Sequence, residues 1–392
     1  MKILVFLPRF PFPLNKGDKL RAFNQIKQLA KGNEVYLFAL SFKNVETEHI
    51  KQVKAFCKDV HIEKLRLFPL LLSLLKNLFT RLPLQVSLFT TYKSKKNFLH
   101  YYNDVRSDSI YFQFVRSGQY AKYIKDNGIH TPKMVLDFQD CLSMNMLRRA
   151  NVSSFFVKTI LMQEVKRLRK YENKMFSIFD STTIITSQDR DCIISSRRNE
   201  IEIVENGVEE AYFSYPKNAD IVFDIIFSGN MSYKPNVVAA KFLVEKIMPL
   251  VWKTFPDITV CLAGSNPTKE VLALQSDKVT ITGWVDDMKQ YYARSRIFIA
   301  PMQIGTGLQN KLLEAMAMSL PCITTSLANA ALRSIHGRDV LVGDNEMELA
   351  KHILSLLQDE TLRQKIAESG NKFVKENYSW QTSTQKLERL LK

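Results

Sequence analysis

The chain has 392 residues, 46% of them hydrophobic and 24% charged, and carries a formal net charge of +16 at pH 7. Single hydrophobic cores stop growing near ~250–300 residues, so two domains are expected, and the composition argues against a disordered chain. The five cysteines are scattered, odd in number and without CxxC spacing, which excludes a disulfide framework and a zinc finger.

The chain opens on Lys2-Ile3-Leu4-Val5-Phe6-Leu7, an apolar run that reads as a first strand and lacks the length and cleavage site of a secretory leader. β-rich runs follow at 34–40, 109–114, 134–138 and 181–187, with helical patterns between them. Residues 64–81 stand apart as leucine-rich and edged by cations. They read either as a core helix or as an interfacial helix, with Lys76, Arg81, Lys93, Lys95 and Lys96 meeting anionic headgroups, so that 64–96 contacts a membrane peripherally. The apolar residues nearly encircle that helix, which keeps both readings open. Turn-rich residues from Glu205-Asn206-Gly207-Val208 to Tyr215-Pro216 mark a boundary. The strand rhythm then resumes at 223–229, 258–264, 279–283, 297–301, 321–325 and 339–342.

This pattern predicts an α/β protein of two Rossmann-like, doubly wound domains facing a central cleft, with ligands beyond the carboxyl ends of the strands. No apolar run approaches the roughly 20 residues needed to cross a bilayer, and together with the unpaired cysteines this gives a cytoplasmic expectation. The positive charge calls for a partner or surface that tolerates it. Nucleic acid is not the expected partner, because the chain has no aromatic-interleaved RNA motif, zinc finger or helix-turn-helix.

The segment Gly305-Thr306-Gly307-Leu308-Gln309-Asn310-Lys311-Leu312-Leu313-Glu314-Ala315-Met316 reads as a glycine-bounded turn opening a helix near Leu308. Amides at a helix start, with no side chain on Gly305 or Gly307 to block them, suit a phosphate. Leu308, Leu312, Leu313 and Met316 would line the buried side, and Asn310, Lys311 and Glu314 a polar face. Lys311 would neutralise a phosphate and Glu314 would accept from hydroxyls; ordinary strand-to-helix packing gives the same pattern.

With these elements in place, residues 305–325 closely resemble the donor-site segment of family 4 (group 1) glycosyltransferases of the GT-B fold. Other matches follow in order. The first strand with Pro11 to Arg21 is similar to the family's first strand and glycine-containing loop, and Phe227-Ser228-Gly229-Asn230 with Tyr233-Lys234-Pro235-Asn236 to the opening of its donor domain. Thr282-Gly283-Trp284-Val285-Asp286-Asp287 resembles its base-binding turn, and Tyr378-Ser379-Trp380 its last helix. The resemblance is strongest to bacterial enzymes that build exopolysaccharide or capsule. It implies an acceptor-side domain over 1–205, a donor domain over 206–375 and a helix over 376–392 that packs back on the first.

It also implies transfer from a UDP- or GDP-linked sugar to a glycan or lipid-linked acceptor, with retention and with neither metal nor other cofactor. Glu314 matches the second glutamate of the family's Glu-x7-Glu pattern and would hold the donor ribose; Thr306 takes the first glutamate's place. Lys311 would bind the diphosphate, with Gly17, Asn230, Lys234, Gly305, Thr306, Gly307, Leu308 and Asn310 nearby, and Gly283, Trp284 and Val285 would meet the base. Lys16, Lys19 and Arg21 would add charge beside Gly17. Many relatives place a histidine after the strand at 134–138; here Asp140 stands near that point and either orients and deprotonates the acceptor hydroxyl or caps the next helix. The adjacent Asp286 and Asp287 read as solvated turn acids. A nucleotide-sugar epimerase of the same fold, or a basic binding protein with a decayed donor site, are the alternative readings.

Overall fold

A computed structural model describes residues 1–14, 16–65, 82–130, 132–151, 153–216, 220–305 and 308–392. The chain divides into two compact units, 1–205 with 380–392, and 206–379.

The first unit is built on seven parallel strands: β1 (Lys2–Leu7), β2 (Glu34–Ser41), β3 (Asp59–Lys64), β4 (Ser109–Gln113), β5 (Lys133–Asp137), β6 (Ser181–Ile184) and β7 (Glu202–Ile203). Their order is β3-β2-β1-β4-β5-β6-β7, so the sheet reverses direction between β1 and β4. Helices cover both faces, which is why β1 is apolar and buried from Ile3 to Leu7. In β4, Ile110 and Phe112 enter the core on one face while Tyr111 enters the other. The terminal helix Trp380–Leu391 belongs to this unit and buries Leu387 and Leu391 with Ile3, Val5 and Ile26.

The second unit repeats the plan with β8 (Phe223–Ser228), β9 (Val260–Ala263), β10 (Val279–Ile281), β11 (Ser295–Ala300), β12 (Cys322–Thr324) and β13 (Leu341–Val342). The order is β10-β9-β8-β11-β12-β13, all parallel, with the reversal between β8 and β11. The helix Lys234–Phe242 runs on through a π turn, Leu243–Ile247, before Met248–Trp252. Pro249 lacks an amide and crowds the preceding turn, and widening that turn relieves both.

The two doubly wound sheets agree with the predicted fold class. The edge strands β3 and β7 escaped the sequence reading because neither is apolar: β3 is Asp-Val-His-Ile-Glu-Lys and β7 only Glu-Ile. Among the described residues no helix is long and apolar enough to cross a membrane. Residues 66–81, which include Lys76, Arg81 and most of the leucine-rich run within the expected membrane segment 64–96, lie outside the described residues.

Candidate active site

In the second unit the candidate site lies at the strand ends beside the topological reversal. The chain leaves β8 through Gly229 and β9 through Gly264, and the two backbones are nearly in contact. A Cβ on Gly264, at φ 142°, would stand 1.8 Å from the carbonyl oxygen of Gly229, so only glycine fits there. The Gly264 amide donates to Thr282 Oγ1 (3.2 Å), which fastens the chain after β10 to the same edge.

The helix Asn310–Ala317 rises over this edge after β11, two residues later than expected. Leu312, Leu313 and Met316 are fully buried and Leu308 packs on the same core. This orientation turns Lys311 toward the strand ends: a Cβ on Gly229 would lie 3.3 Å from Lys311 Nζ. The ammonium donates to Asn236 Oδ1 and lies 4.6 Å from the centre of the Phe227 ring. Burial lowers its pKa to about 7, while Glu314 pulls it back up. Glu314 accepts from the Tyr292 hydroxyl (3.3 Å), which also pairs with Ser228 Oγ (2.8 Å), and from Tyr212. Burial raises the carboxyl to about 7 against the pull of those hydroxyls. A partly buried acid and a partly buried base one helical turn apart, both desolvated enough to be poised near neutrality, are an arrangement frequent at functional sites.

The other expected donor residues are distributed unevenly. Gly305, at φ 96°, packs on Pro235, and Thr306 and Gly307 lie outside the described residues. Asn310 Oδ1 accepts from Asn206 Nδ2 (3.3 Å). Asn230 is not directed at a donor through its side-chain oxygen, which closes its own turn by accepting from the amide and hydroxyl of Ser232 (3.0 and 2.8 Å). Lys234 opens a helix in an exposed position, and Lys311 is the cation at the Gly229 strand end. Gly283 and the half-buried Val285 flank Trp284, an exposed side chain whose indole donates to Asp286 Oδ1 (3.1 Å). Asp287 caps the next helix by accepting from the Lys289 amide (3.0 Å), so both turn acids have local structural work. Asn236, Tyr212 and Tyr292 were missed. The quoted Lys234-Pro235-Asn236 run contains a signal for Asn236, whereas the tyrosines come from distant helices that only the fold assembles.

In the first unit Gly17 is the exposed first residue of the helix Gly17–Leu29. Arg21, expected to add charge beside Gly17, is instead wholly buried, with its Nε donating to Asp137 Oδ2 (2.7 Å). Asp140 follows β5 behind Gln139, a non-glycine residue at φ 63°. The helix-capping alternative fails for Asp140, because the Ser143 amide is taken by Glu172 (2.8 Å). Asp140 Oδ2 accepts from Asn145 (2.9 Å), and Oδ1 is buried with no hydrogen-bond partner among the described residues. Desolvation, reinforced by Asp189 and opposed by Arg116, raises its pKa to about 7. Beyond the ends of β1 and β2 lies a cavity of about 490 Å³ with Arg9, Lys16, Lys19 and Lys43 in its wall.

Two parallel Rossmann-like sheets, of seven and six strands, in one chain are the architecture of the GT-B fold. Residues 222–359 match the family model described as glycosyl transferases group 1. The chain is 24% identical to an uncharacterized 44.6 kDa protein in the cps region of Klebsiella pneumoniae, over 96% of each chain. A capsular polysaccharide biosynthesis glycosyltransferase of Staphylococcus aureus, CapM, is 29% identical over 38% of this chain and 41% of its own. The solved structure of Anabaena Alr3699/HepE in complex with UDP superposes with a TM-score of 0.68 at 15% identity, covering 100% of this chain and 99% of that one.

Proposed function

We propose that the chain transfers a sugar from a nucleoside diphosphate sugar to a glycan or lipid-linked acceptor in bacterial surface polysaccharide synthesis, with retention and without a resident metal. The Lys311–Glu314 pair at the strand ends carries this reading. Lys311 and the first amides of its helix would meet the diphosphate, and Glu314, held by Tyr212 and Tyr292, would accept from the ribose hydroxyls. The HepE structures with UDP and with UDP-glucose support a uridine-linked donor, and CapM supports a capsular product.

In the reaction the bond from the anomeric carbon to the diphosphate oxygen breaks and its electron pair leaves with the diphosphate, where Lys311 offsets the growing charge. The acceptor oxygen bonds the same carbon on the face just vacated. Its proton goes either to the departing diphosphate oxygen, with Asp140 orienting the hydroxyl, or to the Asp140 carboxylate, which a pKa near 7 leaves partly ionised at neutral pH. The cation-lined cavity in the first unit supports an acceptor that bears negative charge, as a lipid-linked phosphate does.

Thermal unfolding with a panel of UDP- and GDP-sugars tests the donor. One donor class is expected to raise the midpoint of the wild type and not of Glu314→Ala, since binding the native state stabilises it in proportion to RT ln(1 + [L]/Kd). No shift with any donor, or an equal shift in the variant, would overturn the assignment. Product analysis with donor alone separates an epimerase, which alters the sugar without an acceptor.

Donor affinity should also depend on pH. Lys311 loses its proton as pH rises through about 7, so binding an anionic diphosphate above that point requires proton uptake and affinity falls, by up to about tenfold per unit. Below about 7 Glu314 becomes protonated and can no longer accept from both ribose hydroxyls. Titration calorimetry should therefore find the tightest binding near neutrality. Lys311→Arg, which stays charged, should remove the alkaline limb, and a loss of affinity above pH 7 that persists in this variant would count against the assignment.

A further inference from the structure

The helix Phe155–Met175 of the first unit changes character along its length. From residue 164 onward it buries Val165, Leu168, Tyr171 and Met175 in the core. Its first turns bury none of their large apolar side chains: Phe155, Phe156, Val157 and Ile160 are 78%, 82%, 45% and 62% exposed. One exposed apolar residue is ordinary, but four within six positions form a patch that water disfavours.

The charge on this helix is sorted as well. Its two acids both turn inward. Glu164 accepts from the amides of Leu84 (3.0 Å) and Gln85 (2.9 Å), and Glu172 from the amide of Ser143 (2.8 Å). Their charge is consumed in capping two other helices. The cations Lys158, Lys166, Lys170 and Lys174 are exposed and Arg167 and Arg169 half-exposed, and among the described residues none of them has a salt bridge. Phe156, Ile160, Arg167, Lys170 and Lys174 follow the three- and four-residue spacing of one helix face. The solvent-facing side is therefore apolar at its tip and purely cationic along its shaft.

We infer that this face docks the first unit on an anionic lipid bilayer. Phe155, Phe156 and Ile160 enter the boundary between headgroups and acyl chains, and Lys158, Lys166 and Lys170 meet lipid phosphates. An acid-free cationic stripe complements a phosphate-rich surface, and the aromatic tip gives it an apolar anchor. The surface differs from residues 64–96, where the sequence pattern alone placed membrane contact, because the exposure of Phe155 and the inward turn of Glu164 and Glu172 are properties of the fold.

Cosedimentation with phosphatidylcholine vesicles, with and without about one-third phosphatidylglycerol, tests this on the full chain. The wild type should bind the phosphatidylglycerol vesicles, less at high salt. Phe155→Ser with Phe156→Ser, and separately Lys158→Glu with Lys166→Glu and Lys170→Glu, should each weaken binding about tenfold or more, with the unfolding midpoint and nucleotide-sugar affinity unchanged. A wild type indifferent to these vesicles, or a phenylalanine variant that binds them as the wild type does, would overturn the inference. So would light scattering that shows a wild-type dimer and a monomeric phenylalanine variant with unaltered vesicle binding, since the patch would then join two copies of the chain.

Discussion

Lys311→Met is expected to lower sugar transfer by on the order of 10²–10³-fold while making the free protein more resistant to heat at mildly acidic pH. The two effects share one cause. The ammonium lies against Phe227 with Asn236 as its hydrogen-bond acceptor, and burial holds its pKa near 7, well below that of an exposed lysine. A lysine whose folded pKa is depressed binds its proton more tightly when unfolded. Its contribution to stability is therefore fully present only above the unfolded pKa and is lost as pH falls through about 7. At pH 6 the folded protein holds a desolvated charge that a methionine does not carry, and the variant should unfold at a higher temperature than the wild type. At pH 9 the difference should shrink. A diphosphate in the site reverses the balance, because it supplies the missing counter-charge and makes the ammonium favourable when the leaving group develops its negative charge. Differential scanning calorimetry at pH 6 and pH 9, with turnover at neutral pH, reads all of this. A variant that keeps wild-type turnover would remove Lys311 from the reaction; one that loses turnover and is also less stable at pH 6 would make it a structural cation.

The legible parts of this site were those encoded within a short stretch of chain. Residues 305–316 display their turn, helix period and polar stripe locally, and the structure places Lys311 and Glu314 on the side of the helix that the spacing indicated. The two sheets were legible for a similar reason: parallel strands buried on both faces leave runs such as Ile225-Ile226-Phe227 that no polar pattern interrupts. Residues whose partners are remote in sequence were hidden. Tyr292 and Tyr212 reach Glu314 from helices 22 and roughly 100 positions away, and nothing in their neighbours' periodicity indicates a hydroxyl aimed at a carboxylate. Arg21 was misread because the sequence shows a cation close to a glycine and a loop lysine, whereas the helical turn carries its side chain under the sheet to Asp137, 116 positions on. The sequence left two roles open for Asp140, and the acceptor that takes the amide it would have capped, Glu172, sits on another helix.

Removing Arg21 is the second substitution with a large expected effect, and there the effect is on folding. Arg21 and Asp137 are both fully buried. Asp137 also accepts from the Tyr111 hydroxyl (2.9 Å) and from Thr183 Oγ1 (3.0 Å), and Arg21 donates to the Glu205 carbonyl (3.3 Å). A buried ion pair adds little beyond a well-packed apolar pair, but deleting one member strands the other charge, at a cost of about 3–5 kcal/mol. For a domain of this size each kcal/mol moves the midpoint by roughly 2–4 °C, so Arg21→Ala should lower the unfolding temperature by roughly 6–20 °C. Arg21→Met combined with Asp137→Asn should recover at least half of that loss, because the asparagine oxygen can still accept from Thr183 and the Gln139 amide while its Nδ2 donates to the Tyr111 hydroxyl, which keeps Gln25 as its own acceptor, and no charge is left unpaired. A double variant as unstable as Arg21→Ala would show that the Glu205 contact, not the ion pair, supplies the stability. The network also bears on chemistry, since Asp137 Oδ1 accepts from the Gln139 amide (3.3 Å), one residue before Asp140. Assayed well below its unfolding temperature, Arg21→Ala should raise the KM for acceptor and leave donor affinity unaltered, because the Lys311–Glu314 pair belongs to the other unit. An equal loss in both would place the Arg21 network upstream of the whole molecule's order instead of under the acceptor side alone.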